Sequence, residues 1–292
     1  MREGRSPSFY VLAVFFAAYV LFLYGPMIAI FVLSFQGPTG GLTFPMNGVS
    51  LHWFARVFAG NGTVDIGSAF LRSLRLGITV MVLTVVLSVA AGMSFRKRFA
   101  GSSVLFYTAI ASLIVPSIVT SLGIALEFHI IDGFIHKYVY AHWQTGMGLF
   151  TSGLGAHLTW TLPFGLLIMF AIFNRFDGRL EEAARDLGAT PWQTFRYVVL
   201  PIILPSVVGI GLFGFTLSWD EIARSSQTIG AVNTLPLELQ GLTTTVTRPD
   251  IYALGTITTA VSFLVIGLSL ATILLMQRRQ TRRGSDAGKG LV

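Results

Sequence analysis

The sequence predicts an all-α fold: a polytopic membrane helical bundle of six transmembrane helices, with both termini in the cytoplasm. Three observations carry this. Hydrophobic residues make up 53% of the 292 positions and charged residues only 11%, whereas soluble domains carry about 25% charge to keep their surfaces wetted. Six apolar runs reach roughly the 20 residues that a helix needs to cross hydrocarbon, and the mean hydropathy of the chain is +0.71. The positive charges, finally, gather in alternate segments between those runs. One membrane domain over 9–276 follows. Residues 1–8 form a short cytoplasmic N-terminus, and 277–292 a polar cytoplasmic tail that is expected to be disordered.

The first run, 9–35, holds no charge and lacks a small-residue cleavage site, so it reads as a retained helix and not as a signal peptide. Pro26 lies inside it, where the missing N–H predicts a kink. The second run, 74–95, ends at Arg96-Lys97-Arg98. The third, 104–126, is interrupted by Pro116. The fourth, 149–173, contains Pro163. The fifth, 198–219, is rich in glycine (Gly209, Gly211, Gly214), and the sixth, 253–276, ends at Gln277-Arg278-Arg279. Glycine and proline in such runs allow close packing and bending.

Six spans put both ends of the chain on one side. That side then holds Arg2, Arg5, Arg96, Lys97, Arg98, Arg175, Arg179, Arg185, Arg196, Arg278, Arg279, Arg282, Arg283 and Lys289, while the other holds Arg56, Arg72, Arg75, Lys137, Arg224 and Arg248. The richer side is cytoplasmic. The net charge of +7 therefore reports topology and does not call for nucleic acid. Cysteine is absent, which excludes disulfides, thiolate metal sites and a cysteine nucleophile. Three segments remain for the outer side. Residues 36–68 read as an irregular loop with a short amphipathic piece at 51–58. Residues 127–148 hold three of the five histidines, and 220–252 carry Asp220, Glu221, Glu238 and Asp250.

The most informative segment is the cytoplasmic loop 174–201. Residues 180–187 are good helix formers with acids in the first turn, where they complement the helix dipole. Gly188 is placed to stop that helix in the left-handed conformation. Thr190-Pro191 suits an N-cap followed by proline at the first helical position. The expected product is a helix–turn–helix elbow with small residues on one face, open to close approach by another protein. An ordinary amphipathic connector has the same local features.

The spacing is more specific. Glu182-Ala183-Ala184, three residues, Gly188, nine residues, Val198, one residue and Leu200-Pro201 resembles the EAA loop of ABC importer permeases, with valine at 198 in place of the usual isoleucine. The resemblance implies the type I (MetI-like) permease fold in a bacterial inner membrane. It implies that Glu182, Ala183, Ala184, Gly188, Leu200 and Pro201 form a coupling element docked on a separate cytoplasmic ATPase dimer. ATP and Mg would be bound by that partner, and no cofactor by this chain. A second permease subunit, non-identical but related, and an extracytoplasmic solute-binding protein are implied in the same way. The tail string Gly284–Lys289 is one residue short of a phosphate loop and lies in no strand–helix context.

Outside that loop, Tyr24-Gly25-Pro26-Met27, Leu33-Ser34-Phe35, Ser50–Phe54, Phe215–Glu221 and Asn233–Leu237 are similar to the spermidine/putrescine-type branch, in its second permease subunit. This implies a polyamine or related small solute. Trp219, Asp220 and Glu221 stand at the outer end of the fifth run, where two carboxylates beside an aromatic ring suit an ammonium ligand. The same residues also suit a helix cap or a loop anchor against Arg224. No catalytic or metal constellation is expected: the spacings of His129, His136 and His142 match no zinc site, and His157 is expected to hydrogen-bond inside the bundle. An ion-coupled secondary transporter is the main rival, but it predicts inverted repeats and mid-membrane ionisable residues, and neither is visible.

Overall fold

Twenty-seven almost wholly apolar residues open the fold as α1 (Pro7–Leu33), with Pro7 at its first turn and Pro26 within it. This is a computed structural model, and it describes residues 6–59, 66–97, 99–245 and 249–287. The helices that follow are α2 (His52–Phe58), α3 (Ile66–Phe95), α4 (Ser102–Ala111), α5 (Ser117–Tyr138) and α6 (Leu154–Phe173), the last entered through a π-helical turn at Leu149–Gly153. After α7 (Arg179–Asp186) and α8 (Pro191–Thr194), a second π-helical turn (Phe195–Val199) leads into α9 (Leu200–Trp219). Short α10 (Ser225–Thr228), α11 (Leu235–Thr245) and long α12 (Asp250–Ala287) complete the chain. Among the described residues there is no strand, only an isolated bridge between Gln36 and Val49.

Six helical stretches among the described residues are long and apolar enough to cross a membrane: Pro7–Leu33, Ile66–Phe95, Ser117–Tyr138, Leu149–Phe173, Pro191–Trp219 and Asp250–Thr272. Backbone polar groups find no water in hydrocarbon, so a continuous helix is the economical way to satisfy them. The predicted runs recur with one substantial correction. The third run does not span as one helix: Pro116 is extended, with φ −55° and ψ 136°, and divides it into α4 and α5. The span then continues to Tyr138, through Glu127, His129 and Asp132, which the sequence places in the outer loop. A hydrogen-bond set explains how Asp132 is tolerated there. Its carboxylate accepts from Trp143 Nε1 (2.8 Å), Thr145 Oγ1 (2.6 Å) and the Gly146 N–H (2.7 Å).

The backbone of α12 runs as a helix to Ala287, past the end of the sixth apolar run. No proline or glycine interrupts 277–283, and the arginines and glutamines there are good helix formers. Residues 288–292 lie outside the described residues, as do Arg2, Arg5, Arg98, Arg248 and Lys289 of the charge count.

Where the sequence predicts one domain, the chain folds as two compact units. One comprises Met1–Gly67 with Glu238–Val261, the other Ser68–Leu237 with Ser262–Val292. In the first, the expected irregular loop is organised around buried Gln36. Its Oε1 accepts from the Asn47 N–H (2.7 Å) and its Nε2 donates to the Gly41 carbonyl (3.2 Å). Trp53 of α2 donates to Gly37 O, and the Tyr252 hydroxyl to Leu42 O.

In the second unit, α3, α6 and α9 meet through small and polar residues, the usual means of close helix approach where burial against lipid-like surroundings gives no net drive. Thr84 of α3 donates to Thr161 of α6 at 2.9 Å. Gly165 of α6 lies against Ser88, and Gly214 of α9 against Met81 and Thr84. Met169, Val199, Ile203 and Ile210 form the apolar centre, lined by Val85, Val89, Ile172 and Phe173.

Candidate functional site

The elbow between α6 and α9 forms as its residue types dictate. Asp177 accepts the Arg179 N–H, and Glu181 and Glu182 occupy the first turn of α7. Gly188 ends the helix at φ +85°, a conformation that costs a residue with a Cβ roughly 1–2 kcal/mol. The Gly188 and Ala189 N–H groups fold back onto Arg185 O and Ala184 O. Thr190 then caps α8 in a reciprocal box: Gln193 N donates to Thr190 Oγ1 (3.3 Å), and Thr190 N to Gln193 Oε1 (2.8 Å). Leu200 is the first residue of α9 and Pro201 follows in its first turn, where the missing N–H costs nothing.

Of the residues assigned to the elbow, Glu182, Ala183, Gly188 and Pro201 are exposed, and Ala184 and Leu200 are half-buried. Around them stand Leu187, 90% exposed, and Trp192, 65% exposed. The result is an open surface on which Leu187 and Trp192 stand among exposed Glu182, Arg185 and Asp186, positioned by two capped helices. Glu181 faces the other way. Both its oxygens accept from Arg96, just past the end of α3, at 2.8 Å each, and the guanidinium lies 4.9 Å from the Phe173 and Phe176 rings. Hydrogen bonding to Arg96 holds the Glu181 carboxyl below its ordinary value. In the sequence, Arg96 stands out only as an orienting charge. The available signal was the acid pair itself, since neighbours on a helix point about 100° apart and only one can face outward.

At the opposite end of α9, the three expected pathway residues part company. Trp219 is buried, stacked on Phe215 at 5.5 Å and edge-on to Phe70 at 5.6 Å, with its indole N–H unpaired. Glu221 is also buried. It accepts from the Arg224 N–H (2.9 Å) and from its guanidinium (3.3 Å). Asp220 keeps an open face, although the mass around the helix end partly desolvates its carboxyl and pushes it above the ordinary value.

Glu221 thus takes the alternative role of a loop anchor against Arg224, and Arg224 reaches further than the sequence suggests. It is 2% exposed, donates to Ser117 Oγ (2.8 Å) and Thr159 Oγ1 (3.2 Å), and sits 4.7 Å over the Trp160 ring. It thereby ties α5, α6 and the segment after α9 together. Beside it, His157 lies between Ser218 Oγ (2.8 Å) and Ser225 Oγ (2.9 Å), as the expectation of an internal hydrogen bond required. His129 and His136 stand on α5, not in a loop, and no group of three potential metal ligands occurs among the described residues.

Comparison with known proteins supplies a context for this geometry. Residues 67–283 match the family described as the binding-protein-dependent transport system inner membrane component. A spermidine/putrescine transport system permease protein, PotC, of Haemophilus influenzae is 31% identical over 259 residues, covering 88% of this chain and 91% of its own. A putrescine transport system permease protein, PotI, of Escherichia coli K12 is 28% identical over 81% of each chain. Among solved structures, a bacterial ABC transporter involved in the import of the acidic polysaccharide alginate superposes with a TM-score of 0.62 over 96% of this chain and 99% of that one, at 16% identity. The MetNI methionine ABC transporter does so with a TM-score of 0.53, covering 70% and 93%, also at 16% identity. At such identities these two likenesses speak for the fold.

Proposed function

The chain belongs to the family of binding-protein-dependent transport system inner membrane components, and from that premise we propose that it is the permease half of a polyamine importer in a bacterial inner membrane. It is a permease subunit of an ATP-binding-cassette importer. The observation that carries the solute assignment is the open carboxylate of Asp220, unpaired by any described side chain, at the end of α9, in a chain whose relatives are named for polyamine transport. An anionic group partly withdrawn from water gains from an ammonium partner the charge compensation it otherwise lacks.

The energy comes from elsewhere. Glu182, Ala183, Ala184 and Gly188 present the docking face to a cytoplasmic ATPase dimer that binds ATP and Mg, with Leu200 and Pro201 setting how the elbow joins α9. The charge asymmetry of the loops supports an orientation with both termini in the cytoplasm. A second, related permease completes the pathway, and an extracytoplasmic binding protein delivers the solute.

A Cβ placed on Gly188 meets nothing within 4 Å, and its φ of +85° strains the elbow by roughly 1–2 kcal/mol, so beyond that local strain Gly188→Asp acts on whatever docks there. In vesicles holding the assembled transporter, labelled spermidine uptake should require ATP, survive an ionophore and disappear in Gly188→Asp at normal membrane abundance. Normal uptake by that variant would remove the coupling assignment. Failure of unlabelled spermidine and putrescine to compete would remove the polyamine one.

A further inference from the structure

The two acids that open α7 do different work. Glu182 is exposed, while Glu181 turns back to the membrane helices and binds Arg96 through two parallel hydrogen bonds of 2.8 Å. The pair keeps side-chain exposures of 20% and 13%, and a pair that is still partly hydrated adds little to folding stability. Its geometry is the more informative feature. A bidentate fork fixes angle as well as distance, and the guanidinium is further clamped by Phe173 and Phe176, whose ring centroids lie 6.1 Å apart. Arg96 therefore joins the end of α3, the end of α6 and the first turn of α7 at one point.

Along the chain, α7 is bounded by two glycines. Gly178 precedes it and Gly188 follows it, each with open space where a Cβ would be. Among the described residues, Arg96–Glu181 is the side-chain hydrogen bond that ties α7 to a membrane helix. From Arg96 the path continues along α3, which meets α6 at Thr84–Thr161 and Ser88–Gly165 and meets α9 at Met81–Gly214.

We propose that Arg96 is a positioning residue for transport: its fork on Glu181 makes α7 and α3 one rigid lever, so that displacement of the elbow reaches the packed helices α3, α6 and α9 directly. This rests on the coupling role given to the elbow above, and the experiment separates the two. The chain contains no cysteine, so nitroxide pairs can be placed at Arg179→Cys on α7 and Val86→Cys on α3, both exposed. In the assembled transporter, the distance between them should stay narrow and unchanged when ATP binds. Arg96→Met, which keeps an apolar stem between the two phenylalanines, and Glu181→Gln should broaden it.

In proteoliposomes the same variants should still copurify with the ATPase and hydrolyse ATP within about twofold of the parent, yet move labelled spermidine about tenfold less per ATP. Arg96→Lys should fall between, and the reversed pair Arg96→Glu with Glu181→Arg should regain part of the loss. A parent distance that shifts with ATP, or an Arg96→Met variant with unchanged distance and unchanged transport per ATP, overturns the lever. Should Arg96→Met fail to assemble, Glu181→Gln decides by the same two readings. If Gly188→Asp transports normally, the coupling role of the elbow fails. If the parent moves no spermidine, the solute assignment fails, and the distance measurement still judges the lever.

Discussion

Arg224 offers the most quantitative test of the structure, because its partners are known on every side. Replacing it with methionine keeps much of the stem but removes the donors to Ser117, Thr159 and Glu221 and the cation over Trp160. The largest cost comes from the carboxylate left behind. Glu221 has a side-chain exposure of 7%, and breaking a buried pair by removing one partner costs about 3–5 kcal/mol, since the surviving charge stays desolvated. The backbone N–H of residue 224 still serves Glu221 Oε1 at 2.9 Å, which argues for the lower half of that range. At roughly 2 °C per kcal/mol for a chain of this size, the apparent Tm should fall by about 6–8 °C. Tryptophan fluorescence during thermal unfolding in detergent, at a fixed scan rate, reads this directly, since Trp160 faces the guanidinium. Adding Glu221→Leu removes the stranded charge, and the double variant should recover most of the loss, because an apolar pair often replaces a buried ion pair at little cost. A single variant within about 1 kcal/mol of the parent, or a double variant no better than the single one, would refute the reasoning.

Four further substitutions have expected outcomes. Gly165→Ala drives its Cβ into Ser88 Oγ and to 3.2 Å from Ile210, and should destabilise by about 1–3 kcal/mol through overpacking. Gly209→Ala, with nothing within 4 Å, should be neutral or stabilising by up to about 1 kcal/mol; equal unfolding midpoints would mean that α3 and α6 do not meet as described. Asp220→Asn should raise the apparent Tm at neutral pH, because a carboxyl with a raised pKa loses stability as pH climbs past its ordinary value of 3.8 towards the higher folded one. The same variant should lower spermidine uptake, and a Tm and uptake that move together would argue for a merely structural role. Glu181 has the opposite sign. Its lowered pKa contributes stability above 4.5 that fades as pH falls below that value, and Glu181→Gln should flatten this acid limb of the unfolding profile.

Much of the fold was legible in residue order because its signals are local. Length and apolarity mark the spans, and three of the six run as read to within a few residues of their bounds, with the second and fifth starting earlier and the third shifted. The elbow was legible at the level of single caps. Gly188 takes φ +85°, Thr190 closes the capping box and Pro191 starts α8, because each role depends on one residue's own backbone or side-chain chemistry. The third span was misjudged where locality fails. Glu127, His129 and Asp132 look like an exit from the membrane, yet the helix runs on, because loop residues Trp143, Thr145 and Gly146 return to satisfy Asp132.

By itself, then, the sequence determined the class of fold, the approximate spans, the cap chemistry of the elbow and the family to which it points, since composition, period and motif spacing are properties of neighbours along the chain. Only the tertiary structure decided which charges are spent inside. Arg96 reaches across 85 positions to Glu181, and Arg224 across 107 to Ser117, while Asp220 is left open beside buried Trp219 and Glu221. The physical reason is that the worth of a charge depends on what surrounds it. Desolvation and pairing act through space, and a chain of residues specifies its spatial neighbours only once the helices have packed.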